Sequence, residues 1–408
     1  MSVFDNVIKR FEDLKEIINL KDEDLKYLLE PKLVSDAELE VDGHKFPAWR
    51  IISNKALGPG KGGIRFHPEV SEDEVKSLAF WMSLKNSLLG LPYGGAKGGV
   101  KFNPKEHDTK FIEKVARKYI DAFYKVLGQD KDIPAPDVYT NPQTMAWMLD
   151  QYEKNVGHHE PGMITGKPVE LGGMALRSDS TAKGAYLVLL EAIKTLNLKA
   201  ENLTVAIQGF GNAGLNVAKM LYADNFQITA VNDSKGGIYN NNGIDINELI
   251  KFKQEFGLVS AFSDNQAISN DELLEADVDV LILGALENQI TEKNADKTKA
   301  KYILEIANGP VTYEADKVLF GKGTVVIPDI LANAGGVLVS YFEWSQNRTG
   351  NILDENYLTG LLSEKMIKSW HNVYNKYLEL DKKVDLRGSA YIIALEKIIK
   401  AEKLRGNL

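Results

Sequence analysis

Residues Leu203–Gly214 read LTVAIQGFGNAG, and they decide the fold. Leu203–Gln208 is a short apolar run of strand length, suited to burial on both faces of a sheet. It closes on Gly209-Phe210-Gly211-Asn212-Ala213-Gly214, a G-x-G-x-x-G that opens a helix running through Tyr222. With 34 glycines in the chain the hexapeptide alone carries little. Its place between a strand and a helix carries more. The next strand, Phe226–Val231, leads to Asp233, at roughly the 20-residue spacing that a dinucleotide fingerprint requires. In that context Gly209 permits the tight turn, Gly211 lets backbone approach a pyrophosphate, and Gly214 lets helix pack on strand. The helix N-terminus then offers free N–H groups to the phosphates. Asp233 suits a ribose 2′-hydroxyl and favours NAD; Lys235 would instead meet a 2′-phosphate and favours NADP. The choice of cofactor stays open.

Outward from this turn, a helix over Ser178–Leu196 precedes it. Strand-like runs at Val278–Leu283, Tyr302–Ile306 and Thr324–Ile327 follow. Apolar strands alternating with helices give an α/β fold with a parallel sheet covered on both faces. Upstream the spacing predicts a helix over Phe4–Ile18 and strands over Leu33–Val41 and Phe46–Asn54 around the Asp42-Gly43 turn. Helices follow over Ser71–Leu89, with Ser71 and Glu74 as a capping box, over Thr109–Leu127, and from Asn141-Pro142 onward. The turn-rich stretch Gly157–Gly173 separates the halves. The boundary falls near Gly172–Ser178, giving domains 1–175 and 176–379. The chain is helical from Asn356, and its last helices, about 380–408, return to the first domain.

Two domains suit a chain of 408 residues. With 49 Lys+Arg against 57 Asp+Glu the formal charge is −8, which opposes a nucleic-acid partner. No apolar run approaches the roughly 18 residues of a membrane span, and the N-terminus lacks the apolar core of a signal peptide. The absence of cysteine excludes disulfides, a thiol nucleophile and thiolate metal ligands. The six histidines have no zinc-like spacing. The expectation is a cytoplasmic protein without a metal centre or membrane anchor.

Three lysines stand in unusual settings. Lys61 lies in Gly58-Pro59-Gly60-Lys61-Gly62-Gly63, Lys85 on the helix before Leu91-Pro92, and Lys97 in Gly94-Gly95-Ala96-Lys97-Gly98-Gly99. Most lysines are solvated charges. Glycines on both sides of Lys97 remove neighbouring side chains, so another molecule is expected to approach closely. A lysine shielded from water and near other cations has a depressed pKa and suits a general base. By themselves these residues give an anion-binding pocket in one domain and a nucleotide domain beside it.

The segments GPGKGGIRFHP (58–68), LKNSLLGLPYGGAKGGV (84–100), IPAPDVYTNPQTMAWMLD (133–150), ITGKPVELGG (164–173), IQGFGNAG (207–214), NDSKGGIYN (232–240), ANGP (307–310) and PDILANAGGVLVSYFEWSQN (328–347) resemble the hexameric type of glutamate dehydrogenase. The resemblance to this Glu/Leu/Phe/Val dehydrogenase family covers nearly the whole chain, in family order. It implies an N-terminal substrate and assembly domain, a C-terminal Rossmann-type dinucleotide domain and an active-site cleft between them. The implied reaction is oxidative deamination of glutamate to 2-oxoglutarate and ammonia with NAD or NADP, in a homohexamer. Lys97 resembles the catalytic lysine and Asp137 its acidic partner. Lys85 resembles the ligand of the substrate α-carboxylate, and Lys61 with Ser340 the pair that holds the side-chain carboxylate. Thr181 and Asn212 resemble cofactor contacts, and Asn308 and Asn333 lie where strand ends would face the nicotinamide. Arg65 and Arg177 are read as structural ion-pair partners and stand outside the site.

The chain departs from the family pattern at Met174-Ala175-Leu176, at Ser180 and Ala182 around Thr181, and at Gly284 in place of a common proline. The first two bear on cleft closure and cofactor affinity. Two other readings compete. A dehydrogenase for apolar amino acids is opposed by Lys61 and Ser340. A non-catalytic regulatory paralogue is supported only by the departures near Thr181 and opposed by Lys97 and Asp137.

Overall fold

Asp42 and Gly43 take positive φ, 50° and 82°, as a two-residue hairpin turn demands. In the computed structural model, which describes residues 3–408, they join β1 (Leu33–Val41) to β2 (His44–Asn54) in unbroken antiparallel register. The chain divides into two units. One holds the residues up to Arg177 with 337–359 and 391–408; the other holds 178–336 and 360–390.

The first unit adds β3 (Gly60–Lys61), β4 (Ile64–His67), β5 (Gly95–Lys101) and β6 (Asp132–Ile133). A four-stranded sheet runs β1-β2-β5-β4, and β3 pairs with β6 separately. Its first five helices are α1 (Val3–Leu14), α2 (Asp22–Leu29), α3 (Glu72–Leu88), α4 (Thr109–Phe123) and α5 (Pro142–Val156). Leu39, Ala48, Phe66 and Val100 of the sheet pack with Tyr119, Ile120, Met145 and Met148 from α4 and α5. Ile51 meets Val75 and Ala79 of α3 on the other side.

The glycine-rich stretch around Lys97 is the buried strand β5 rather than a mobile loop. A methyl at Gly95 would overlap Ser83 of α3, and one at Gly98 would overlap the Tyr119 hydroxyl of α4. Its glycines therefore let two helices approach the strand closely. Asn141 and Thr144 form a reciprocal cap at α5. At α3 only half of the expected box is made. The Ser71 hydroxyl accepts from Glu74 N at 3.3 Å, while the Glu74 carboxylate turns to Arg65.

The second unit is built on β7 (Thr204–Gln208), β8 (Gln227–Asp233), β9 (Gly236–Tyr239), β10 (Gln266–Ile268), β11 (Val280–Leu283), β12 (Tyr302–Glu305) and β13 (Val325–Ile327). The order is β10-β9-β8-β7-β11-β12-β13. The five strands from β8 to β13 are parallel, and β9 and β10 extend the edge antiparallel. Around them lie α6 (Ser180–Thr195), α7 (Asn212–Ala223), α8 (Ile246–Phe256), α9 (Asn270–Leu274), α10 (Tyr313–Gly321) and α11 (Asp329–Ala332). Strand order reverses between β7 and β11, the switch point at which open α/β sheets hold ligands beyond their carboxyl ends.

The last helices, α12 (Gly335–Thr349), α13 (Glu355–Glu379) and α14 (Leu386–Leu404), each begin in one unit and end in the other. This changes the sequence-based boundaries of 175 and 380. Residues 337–359 belong with the first unit because Glu343, Trp344 and Asn347 bond to Gly166, Gln129 and Gly172. Return to that unit at the end comes at Tyr391, which packs on Phe11; Asn54 bonds to Glu402 nearby. No helix among the described residues is long and apolar enough to cross a membrane.

Candidate active site

The two glycine-flanked lysines ride on neighbouring segments, because Gly98 donates its N–H to Gly63 O at 2.9 Å. Lys97 Nζ is hydrogen-bonded to Asp137 Oδ2. The other oxygen of Asp137 accepts from Arg65 Nε at 2.8 Å, and Arg65 also pairs with Glu74. Thr140 fixes the Asp137 backbone, its hydroxyl accepting from Asp137 N at 2.8 Å and lying 2.9 Å from Ile64 O, to which it donates. Arg65, read from sequence as an ion-pair partner outside the site, is thus in direct contact with Asp137 of the candidate catalytic pair.

Burial pushes the Lys97 ammonium below the ordinary lysine range; Asp137 opposes the shift and Arg65 adds to it. For Asp137, burial alone would raise the carboxyl, but Lys97 and Arg65 outweigh it and hold it well below the usual carboxylate range. A single hydrogen bond joins Lys97 Nζ to the ionised Asp137 carboxylate.

Lys61 is 1 % exposed. It donates to the carbonyls of Ile133 and Pro134 at 3.3 and 3.2 Å and to Thr165 Oγ1 at 2.9 Å. These are neutral oxygens. Burial, with Arg177 and Arg50 nearby, drives its pKa well below the lysine range. The strand carrying it rests on a buried Arg50–Asp132 pair, with Arg50 Nε 2.7 Å from Asp132 Oδ2.

Thr165, which sequence reading missed inside ITGKP, leads directly into the buried Lys167–Glu343 ion pair of 2.7 Å. Glu343 also accepts from Gly166 N at 2.8 Å. Ser340 is buried one turn before Glu343 on α12. Lys85 is buried in the last turn of α3, the helix packed on β5. Arg177 is half-buried, and desolvation lowers its pKa.

In the second unit the glycine turn has the expected form. Gly209 has φ +89°, and a methyl at Gly214 would overlap the Gly209 carbonyl. Gly211 is different: a methyl there would meet no protein atom within 4 Å. Fold packing therefore does not demand glycine at 211, and the open space suits a pyrophosphate over the start of α7. Gly211→Ala is expected to leave stability within about 0.5 kcal/mol, because φ −84° suits alanine, while weakening dinucleotide binding about tenfold or more. Thermal unfolding and a fluorescence titration with NADPH and NADH check both halves.

Asn212 Nδ2 donates to Ser178 O at 3.0 Å, just before α6, whose first turn carries Thr181. Asn333 Nδ2 donates to Ile306 O at 3.0 Å and to Asn308 Oδ1 at 2.9 Å. Its own Oδ1 is buried without a hydrogen-bond partner, an acceptor suited to a carboxamide N–H. Asp233 ends β8, yet its carboxylate is engaged. Oδ2 accepts from Lys253 Nζ at 3.0 Å and Val259 N at 3.1 Å, and Oδ1 from Lys235 N at 2.9 Å. Lys253 also donates to Phe210 O at 2.8 Å. It lies a helix away from the fingerprint, and no local pattern marks it. A partly neutralised Asp233 leaves both NAD and NADP chemically admissible.

The departure at Gly284 has a physical sense: its N–H donates to Gln208 O at 2.8 Å, a bond that proline lacks. Nothing in the structure explains the departures at Met174-Ala175-Leu176 or at Ala182.

Residues 172–406 match the family model for Glutamate/Leucine/Phenylalanine/Valine dehydrogenase, and residues 33–154 match that for its dimerisation domain. The chain is 46 % identical to the NADP-specific glutamate dehydrogenase of a Synechocystis species, over 99 % of this chain and 97 % of that one. It is 44 % identical to the catabolic NAD-specific glutamate dehydrogenase RocG of Bacillus subtilis, over 88 % and 84 %. Its structure superposes with a TM-score of 0.93 on hetero-hexameric glutamate dehydrogenase from Thermus thermophilus, at 32 % identity and 99 % and 97 % coverage. A dinucleotide turn, a lysine–aspartate pair and these likenesses agree, and the chain belongs to the Glu/Leu/Phe/Val dehydrogenase family.

Proposed function

We propose that the protein is a glutamate dehydrogenase that interconverts L-glutamate with 2-oxoglutarate and ammonia, using NAD or NADP, and that it assembles as a homohexamer. One observation carries the substrate. Lys61 is buried against neutral oxygens with Arg177 as a further nearby cation. Glu343 and Asp132 act on Lys61 without contacting it; a side-chain carboxylate supplies a contacting negative charge, whereas an apolar side chain cannot and is excluded. Lys61 and Ser340 take that carboxylate in this reading, and Lys85 takes the α-carboxylate.

Gly209, Gly211, Asn212 and Gly214 would hold the pyrophosphate, Asp233 the ribose region, and Thr181, Asn308 and Asn333 the nicotinamide end. When bound, the dinucleotide accepts or supplies the hydride at the substrate α-carbon. Neutral Lys97 Nζ takes the proton from the water that adds to the imino carbon, and its ammonium form then stabilises the carbinolamine oxygen. Asp137 is too strong an acid at rest to hold a proton, so the one it passes to the departing nitrogen comes from Lys97 across their hydrogen bond.

Absorbance at 340 nm with 2-oxoglutarate, ammonium and either NADPH or NADH tests the proposal on the purified chain. Oxidation of one cofactor is expected, and the ratio of rates gives the preference. Silence with both, in a folded protein equally inert toward 2-oxo-4-methylpentanoate, would favour a regulatory paralogue. Native mass spectrometry of the same sample should give six copies of this one chain.

A further inference from the structure

We propose that Arg387 is a positioning residue for the nicotinamide end of the dinucleotide site, acting through Glu305 and Asp329; the inference rests on the function proposed above. Arg387 opens α14 and is 2 % exposed. Its Nη1 and Nη2 lie 2.8 and 2.6 Å from the two oxygens of Glu305. Nη1 also reaches Asp329 Oδ1 at 3.2 Å, and Nε reaches Asp316 Oδ2 at 2.7 Å. One guanidinium therefore ties together the end of β12, the start of α11 and the middle of α10.

Both acids that matter here lead into the site. Asp329 Oδ2 accepts from Gly309 N at 2.8 Å, which fixes the turn immediately after Asn308. Asp329 N donates to Glu305 Oε2 at 2.9 Å, which fixes α11 against β12. Asn333 follows α11 directly and reaches back to Ile306 O and Asn308 Oδ1. The aim of its unpartnered Oδ1 is thus set by the same frame.

An apolar cluster would hold these elements at least as firmly, since buried ion pairs add little net stability. What a forked, five-donor cation adds is a fixed geometry. Burial pushes Glu305 up to about 7 against the pull of Arg387. Loss of the cation would therefore leave facing acids that must move apart or take up protons.

The test separates the two ends of the cofactor. ADP-ribose carries the adenosine, both phosphates and the second ribose but no nicotinamide, so it reads the dinucleotide site without the nicotinamide contacts. In the full-length enzyme, Arg387→Lys keeps the charge but loses the fork. We expect it to lower kcat and affinity for the preferred oxidised dinucleotide about tenfold or more, with ADP-ribose affinity and the KM for 2-oxoglutarate within about twofold. A parallel fall in ADP-ribose affinity, or unchanged kcat and dinucleotide affinity, would overturn the proposal. If Arg387→Lys does not fold, Glu305→Gln, which keeps the shape, is read by the same criteria. Lack of turnover in the unmodified enzyme would count against the proposed function instead. The contrast between dinucleotide and ADP-ribose binding would still decide the role of Arg387.

Discussion

Lys97→Met is expected to lower kcat about 10³-fold, the range of a lost general base, while dinucleotide affinity stays within about twofold. The substitution removes the proton acceptor and leaves Asp137 paired with Arg65, so the carboxylate is not stranded. The sign of the pH dependence follows from which form works. Neutral Lys97 is the base, so kcat/KM rises with pH and levels off above its pKa in the free enzyme. Burial and Arg65 lower that pKa, while Asp137 and Glu74 raise it. The plateau therefore arrives below the pH at which an ordinary lysine titrates. Arg65→Met removes a cation that favours the neutral form, and the limb should move to higher pH. A limb that moves down instead, or is unchanged in Lys97→Met, would refute the assignment of the base.

The second large effect concerns specificity. Lys61→Leu combined with Ser340→Val should cut kcat/KM for 2-oxoglutarate by at least about 10³-fold, because the carboxylate would enter an apolar pocket. The same variant should gain on 2-oxo-4-methylpentanoate. A stability measurement gives an independent check. Burial disfavours charge on Lys61, so leucine removes a desolvation cost while orphaning the three oxygens that Lys61 reaches, and the unfolding free energy should change by no more than about 1–3 kcal/mol. Unchanged kinetics with 2-oxoglutarate would dismiss the pocket. A large loss of stability would make Lys61 a structural element instead.

What could be read from sequence was what short-range chemistry encodes. The strands β7, β8, β11, β12 and β13 announce themselves as apolar runs, and Asn141-Pro142 carries its own cap and first helical residue. The turn at 209–214 is legible because three glycines answer three separate steric demands. Strand β5 was not legible, since three glycines among its seven residues erase any period-2 pattern and it looks like a loop. Its identity comes from Ser83 and Tyr119, which lie on helices distant in sequence. Thr165, Glu343 and Lys253 carry no local signal for a related reason. Each acts through a partner far along the chain, and a lone polar residue in a sequence does not name its partner. The segment 337–359 was misassigned because hydrogen bonds to Gly166, Gln129 and Gly172, not local composition, decide where it belongs.

The first unit is assembled from three separate stretches of chain, and the last of them begins at Tyr391. A ribosome delivers those stretches in order, with the whole second unit emerging between them. At about 5–20 residues per second, residues up to Arg177 wait roughly 10–40 s before their final partners exist. During that interval the surfaces later covered by 391–408, around Phe11, Asn54 and Ser87, have only water or a chaperone to meet. The usual order of birth, amino-terminal domain first, is closed to this topology. Nascent chains halted short of residue 391 should stay protease-sensitive in their first half, and release of the final helix should be the event that completes both halves of the molecule.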